Sequence, residues 1–333
     1  MKVDINKKSE IEVELLCEAE KVEIEEEKNK IIKEIKKDAE IEGFRKGKVP
    51  EDIIEKKFSE TIKENILKNI ISKAYYETLK KENFIPVIQP EIYDVEFTEE
   101  KLKFKIGLEL KPGVKIKKYK GITVKKVEPK EVKEEDVENT LKELEKRPEF
   151  ASSVIDLEKR QMWKKRIREE LEEREKNSAR IEEEKQLWND LFKNAEFPIP
   201  EKLVAKRARE YTEYHLRRMN LQGKTREEIE NYAQQIFKAV KPYAEEEVKK
   251  YFILDKIAEI ENVVVEEKEV DERIEIFSRS IGKPFEEVKK ELEKTGEIEN
   301  IRDEIKIDKA YKIVKNNVNY IERIVIPGEE NKK

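Results

Sequence analysis

The sequence predicts an α+β N-terminal domain, helices plus a small antiparallel sheet, followed by an all-α domain. Three observations carry this. Apolar residues alternate with polar ones at residues 11–15 and again between 93 and 110. From Asp156 onward they recur at spacings of three and four. Hydrophobic residues make up 37% and charged residues 45% of 333 residues. That balance leaves no thick core, so the apolar residues must lie in thin stripes on helices and on one face of a sheet.

Each element follows from its own pattern. Ile11, Val13 and Leu15 alternate with Glu10, Glu12 and Glu14, a strand. Val22, Ile24, Ile31, Ile32 and Ile35 mark a helix ending before Gly43. Pro50 opens a second helical stretch, since its missing N–H is not needed in a first turn. Ile53, Ile54, Phe58, Ile62, Ile66 and Ile70 carry its stripe to about Asn83. Thr61 and Glu64 fit a capping box, which would divide the stretch into a short and a long helix. Tyr93, Val95 and Phe97, then Leu102 to Leu110, alternate around Thr98-Glu99-Glu100 and read as a hairpin. Pro112-Gly113 closes the first domain, 1–111. Residues 112–150 read as an extended linker, with a strand near Ile122, Val124 and Val127, a short helix at Val137, Leu141 and Leu144, and a break at Pro148. The helical domain spans 151–327, and 328–333 forms a disordered tail. A long amphipathic helix is expected over 156–195, ended by Phe197-Pro198-Ile199-Pro200. Further helices are expected near 200–220, 225–240, 242–261, 269–281, 284–294 and 298–321, separated at Gly223, Pro242, Gly282-Lys283-Pro284 and Gly296.

Composition excludes several functions. The net charge of −5 argues against a nucleic-acid binder that uses its whole surface, because phosphate attraction needs a cationic excess on at least one face. A single cysteine, Cys17, excludes an internal disulfide and a multi-cysteine zinc site. Cys17 is expected to be buried near a strand end. A single histidine, His215, leaves little room for nucleophilic catalysis and reads as a surface or packing residue. No phosphate-binding loop or dinucleotide fingerprint is present, so no cofactor is expected. No run of 18 apolar residues occurs, and residues 1–8 have no apolar segment of signal-peptide type. The expected compartment is therefore cytoplasmic.

One segment stands out: Gly43-Phe44-Arg45-Lys46-Gly47-Lys48-Val49-Pro50. Two glycines bracket an aromatic and two cations, with Lys48 just beyond. The glycines permit a tight projecting loop. By residue chemistry alone it fits either an interface tip for an anionic partner or a solvated helix–helix turn.

The segment resembles the G-F-R-x-G-x-x-P ribosome-binding signature of the trigger factor family, the bacterial nascent-chain chaperones, at every fixed position. The strand, helix, loop, long helix and antiparallel strands around it are similar to that family's N-terminal domain. The helical half, with its Phe197-Pro198-Ile199-Pro200-Glu201 break, is similar to its C-terminal domain. The resemblance implies an elongated helical domain with arm-like helices. It implies an ATP-independent chaperone that docks at the tunnel exit of the large ribosomal subunit, on ribosomal protein and rRNA, and shields nascent polypeptides. Phe44, Arg45 and Lys46 would contact the ribosome, while Gly43, Gly47 and Pro50 shape the loop beside Lys48. Off the ribosome, a homodimer is implied. The sequence departs from the family in one respect. Most members carry an FKBP-like peptidyl-prolyl isomerase domain of roughly 90 residues between the two halves. Here Leu144–Phe150 runs almost directly into Asp156, so no isomerase activity is expected.

A chaperone without ATP needs adaptable apolar patches. Met219, Leu221, Phe237, Val240, Tyr251, Phe252, Ile276, Phe277 and Phe285 are the candidates, although each also fits a core position at helical spacing. A second reading is a ribosome-independent holdase or assembly chaperone that cups folded or partly folded proteins. An enzyme and a coiled-coil scaffold fit less well, the latter because Pro and Gly interrupt the heptads.

Overall fold

The computed structural model describes residues 1–147 and 157–322. The chain begins with β1 (Lys2–Lys7) and β2 (Glu12–Glu20). Three helices follow: α1 (Lys21–Asp38), α2 (Glu51–Lys57) and α3 (Ser59–Glu82). Then come β3 (Glu91–Phe97) and β4 (Lys101–Glu109). β5 (Lys115–Ile116), β6 (Thr123–Lys125) and α4 (Glu134–Glu145) precede the long α5 (Leu157–Asn194) and β7 (Ala195–Glu196). The rest is α6 (Glu201–Arg218), α7 (Arg226–Ile260), α8 (Glu267–Ile281), α9 (Phe285–Thr295), α10 (Glu297–Asn316) and β8 (Asn319–Ile321).

Two compact units form, and they do not follow chain order. The first joins Met1–Gly113 to Phe197–Lys249; the second joins Val114–Glu196 to the residues from Lys250 onward. The sequence-based division at 111 and 150 follows chain order instead. Residues 114–147 are not merely a linker stretch, since their elements pack within the second unit.

The first unit is built on an antiparallel sheet ordered β1-β2-β4-β3. β2 and β4 pair with Leu15 opposite Ile106 and Cys17 opposite Phe104. The alternation read in the sequence places Val13, Leu15, Cys17, Ala19, Leu102, Phe104, Ile106 and Leu108 on one buried face. Ile24, Ile31 and Ile32 of α1 and Ile62, Ile66, Ile70 and Ala74 of α3 belong to the same core. Cys17 sits in mid-strand, and burial pushes its thiol up to about 11. Two local readings need correction. The Tyr93-Val95-Phe97 alternation fails at Val95, which is exposed, because the ladder shifts register between Tyr93 and Glu96, where Asp94 takes a positive φ. Thr61 lies inside α3 and caps nothing; the helix starts at Ser59 after Phe58. β1 pairs along β2.

In the second unit β5 pairs with β7 antiparallel and β6 with β8 in parallel. Val137 and Leu141 of α4 and Ile167 of α5 share a cluster. α8, α9 and α10 close over Val270, Ile274, Val288, Leu292 and Ile305. Trp188 of α5 stacks on Tyr311 of α10, with Lys250 over the indole. A buried Asp255 accepts from Lys306 at 2.8 Å. The expected break at Pro242 does not occur, as α7 continues through it. Pro148 and residues 328–333 lie outside the described residues.

Candidate functional site

The signature loop leaves the core at Ile41 and returns at Val49; both are buried, Val49 completely. Between these anchors, Glu42 to Lys48 lie outside the core, with Gly47 half-buried. Two successive turns shape the loop. The Phe44 N–H donates to the Ile41 carbonyl at 3.0 Å, and the Lys48 N–H to the Arg45 carbonyl at 2.9 Å. Gly43 and Gly47 hold φ of 88° and 79°. A Cβ at either would meet nothing within 4 Å, so the demand for glycine is conformational and not steric. Pro50 sits at the N-cap of α2 and its carbonyl accepts from Ile54 at 3.2 Å.

The tip is therefore held open. Phe44 is 40% exposed, an aromatic left outside the core that surrounds the base of its own loop. Lys46 reaches Asp38 at 3.1 Å across solvent, a pair worth little. Among the described residues Arg45 and Lys48 form no ion pair, in a protein where cations commonly pair. The loop thus brings all seven sequence-predicted residues into one exposed feature carrying an aromatic and three cations.

The candidate client residues divide between the units. Met219, Leu221, Phe237 and Val240 fall in the first, the other five in the second. Met219, Tyr251, Ile276 and Phe277 are exposed. Leu221, Phe237 and Val240 are half-buried, and Phe285 packs on the α8–α10 cluster. Phe252 is only 2% exposed and is a core residue, unable to touch a client in this arrangement. Ile281 was missed. With Phe277 it forms an exposed pair one turn apart at the C-terminal end of α8, in line with the stripe that buries Val270 and Ile274. The continuation of the α8 apolar stripe beyond Ser278 was the available signal. His215 is exposed and packs edge-on to Tyr214. No group of His, Cys, Asp and Glu among the described residues could hold a metal ion, and none of the helices there is long and apolar enough to cross a membrane.

The family models decide the relationship. The model for the bacterial trigger factor protein matches residues 1–144, and that for the trigger factor C-terminus matches 161–316. The chain belongs to the trigger factor family. A trigger factor of Natranaerobius thermophilus is 37% identical over 147 residues, covering 43% of this chain and 31% of that protein. That of Geotalea uraniireducens is 35% identical over 44% of this chain and 34% of its own length. The chain thus matches about a third of these relatives' length. The trigger factor of Koribacter versatilis is 23% identical but aligned over 86% of this chain and 90% of its own. A solved structure, described as promiscuous substrate recognition in folding and assembly activities of the trigger factor chaperone, superposes with a TM-score of 0.54 at 16% identity. It covers 95% of this chain and 99% of that one, and it supports the fold. Only residues 145–160 separate the two trigger factor matches, too few for an isomerase domain of roughly 90 residues.

Proposed function

We propose that this trigger factor docks at the ribosomal tunnel exit through the 43–50 loop and holds emerging polypeptides, without ATP, on exposed apolar side chains of its helices. The observation that carries the reading is the loop itself: buried at Ile41 and Val49, and open at Phe44, Arg45, Lys46 and Lys48 between them. Phe44 supplies an apolar anchor, and the cations supply charge toward ribosomal protein and rRNA. The whole chain carries a net charge of −5, so docking is local and falls with salt. Clients meet Met219, Tyr251, Ile276, Phe277 and Ile281, scattered rather than fused into a core.

Co-sedimentation with 70S ribosomes tests this. Replacing Phe44, Arg45 and Lys46 by Ala should weaken binding at least tenfold, about 1.4 kcal/mol, because one aromatic anchor alone is commonly worth more. All three side chains are exposed, so the thermal midpoint should stay unchanged. Undiminished binding refutes the loop as the docking element and favours a ribosome-independent holdase.

A further inference from the structure

The second unit contains a two-stranded sheet whose edges differ. β6 and β8 run parallel, with Val124 opposite Tyr320. The outer edge of β6 is covered by α5. The Gln186 side chain accepts from the Lys125 N–H at 2.9 Å and donates to the Lys125 carbonyl at 3.1 Å, as a neighbouring strand would. Glu183 accepts from the Val127 N–H at 2.9 Å. Among the described residues the outer edge of β8 has no such cover. The Asn319 N–H donates to the Ile122 carbonyl, and the carbonyls of Asn317 and Ile321 accept from Gly121 and Lys126. Successive residues of a strand point their backbone groups to opposite sides, so Tyr320 turns its N–H and its carbonyl away from β6. Neither group has a partner among the described residues. Such an edge is a template for another strand.

A cavity of about 340 Å³ adjoins this strand, between Tyr320, α5 and α10. Ile181 and Tyr320 are its exposed walls, and Leu187 is buried at its lining. Tyr311 is already stacked on Trp188 and covered by Lys315, so it serves as a fixed wall. The charges of the lining cancel, Arg180 and Lys315 against Glu183 and Glu184. The cavity therefore draws no ion of either sign, and its free surface is apolar. Residues directly opposite each other on paired strands carry their side chains on the same face, about 4.5–5.5 Å apart. A strand added to the open edge of β8 thus places the residue opposite Tyr320 over the cavity, which has room for one large side chain. An unfolded chain brings the unpaired backbone that such an addition needs.

We infer that the open edge of β8 takes an extended segment of an unfolded polypeptide as a third strand, with an uncharged apolar side chain seated in the adjoining cavity. This contact rests on the reading of the protein as a holder of unfolded chains and adds to it a backbone grip that ignores most of the client's sequence. Its test is fluorescence anisotropy of the full chain with a labelled peptide of about seven residues, threonine and valine alternating around a central phenylalanine. The wild type binds. Tyr320→Ala removes the ring and keeps the outward N–H, whereas Tyr320→Pro removes that N–H too, on the side that β6 does not use. Tyr320→Pro therefore binds at least tenfold more weakly than Tyr320→Ala. Ile181→Asp, at an exposed position of α5, tests the cavity without touching the strand and also weakens binding about tenfold. A peptide with aspartate or lysine at its centre binds at least tenfold more weakly than the phenylalanine peptide. The inference is overturned if Tyr320→Pro and Tyr320→Ala bind alike, if the central residue of the peptide makes no difference, or if only a variant ending at Glu322 binds, which would give the edge to the chain's own residues 323–333. A dimer seen by light scattering that Tyr320→Pro dissociates would give it to a second copy and overturn the inference as well. A wild type that ignores the peptide yet still suppresses aggregation of an unfolded client overturns this inference alone; failure in both assays overturns the holdase reading beneath it.

Discussion

Glu109 shows what a single residue can do for this fold. It ends β4 and is 1% exposed, yet it is an acid. Its two carboxylate oxygens accept the backbone N–H groups of Lys202 and Leu203, each at 2.8 Å. These are unpaired donors of the first turn of α6, where a negative charge also meets the positive end of the helix. The carboxylate thereby ties α6 to the sheet within the first unit. Glu109→Ala strands both amides, and a loss of about 2–3 kcal/mol is expected from urea unfolding. Glu109→Gln keeps one acceptor and should lose about 1 kcal/mol. Burial raises the Glu109 pKa, against the opposing pull of the two amides. A folded value above the unfolded one means that this group's contribution is complete below the unfolded pKa and fades as pH rises through the folded one. The margin of wild type over Glu109→Gln should therefore widen on acidification through the carboxylate range. A margin that narrows on acidification would contradict the burial argument. The loop residues were legible in sequence because two glycines, an aromatic and cations within eight positions state their purpose locally. Glu109 was not, since its partners lie more than 90 residues further on.

At the scale of elements, period-two and helical patterns located the hairpin, α3, α5 and the helices of the C-terminal half. Their signals are internal to each segment. β1 and β8 escaped because they are short, largely exposed strands, and β8 pairs with the remote β6. Pro242 misled for a different reason. A proline inside a helix loses one N–H bond and crowds the carbonyl four residues earlier, about 3 kcal/mol worse than alanine. α7 continues nonetheless, because Ala244, Val248, Phe252, Ile253 and Ile257 are buried beyond the proline and hold the helix together. Tertiary burial outweighs local propensity here. Since Pro242 itself is exposed, Pro242→Ala should stabilise the chain by about 1–3 kcal/mol, read as a higher urea midpoint. Destabilisation would show that the surrounding packing is built around the proline's geometry.

The whole molecule departs from chain order in its packing. Phe197–Lys249 joins the N-terminal unit, and Val114–Glu196 joins the segment from Lys250. Sequence patterns report periodicity along the chain but not which distant segment closes a core, so the grouping could not be read before the structure. What could be read was a missing insert. The Koribacter versatilis alignment runs over 394 positions, more than the 333 residues of this chain, so that relative carries stretches without a counterpart here. The family matches end at 144 and resume at 161. On the residues around this junction, Val137 and Leu141 pack on Ile167 with Trp163 and Leu171 alongside. That small cluster holds α4 to α5 and, among the described residues at this junction, forms no separate domain. Prolyl isomerisation has a barrier of about 18–20 kcal/mol, and speeding it requires a site that binds the twisted amide better than the planar one. The full chain at micromolar concentration should therefore leave the cis-to-trans relaxation of a short X-Pro peptide at its spontaneous rate, tens to hundreds of seconds at about 25 °C. Under the same conditions it should still suppress light scattering by an unfolded client. Acceleration of the peptide reaction would mean that a catalytic surface exists on the two remaining units, and the proposed division of labour between docking loop and helical surface would have to be redrawn.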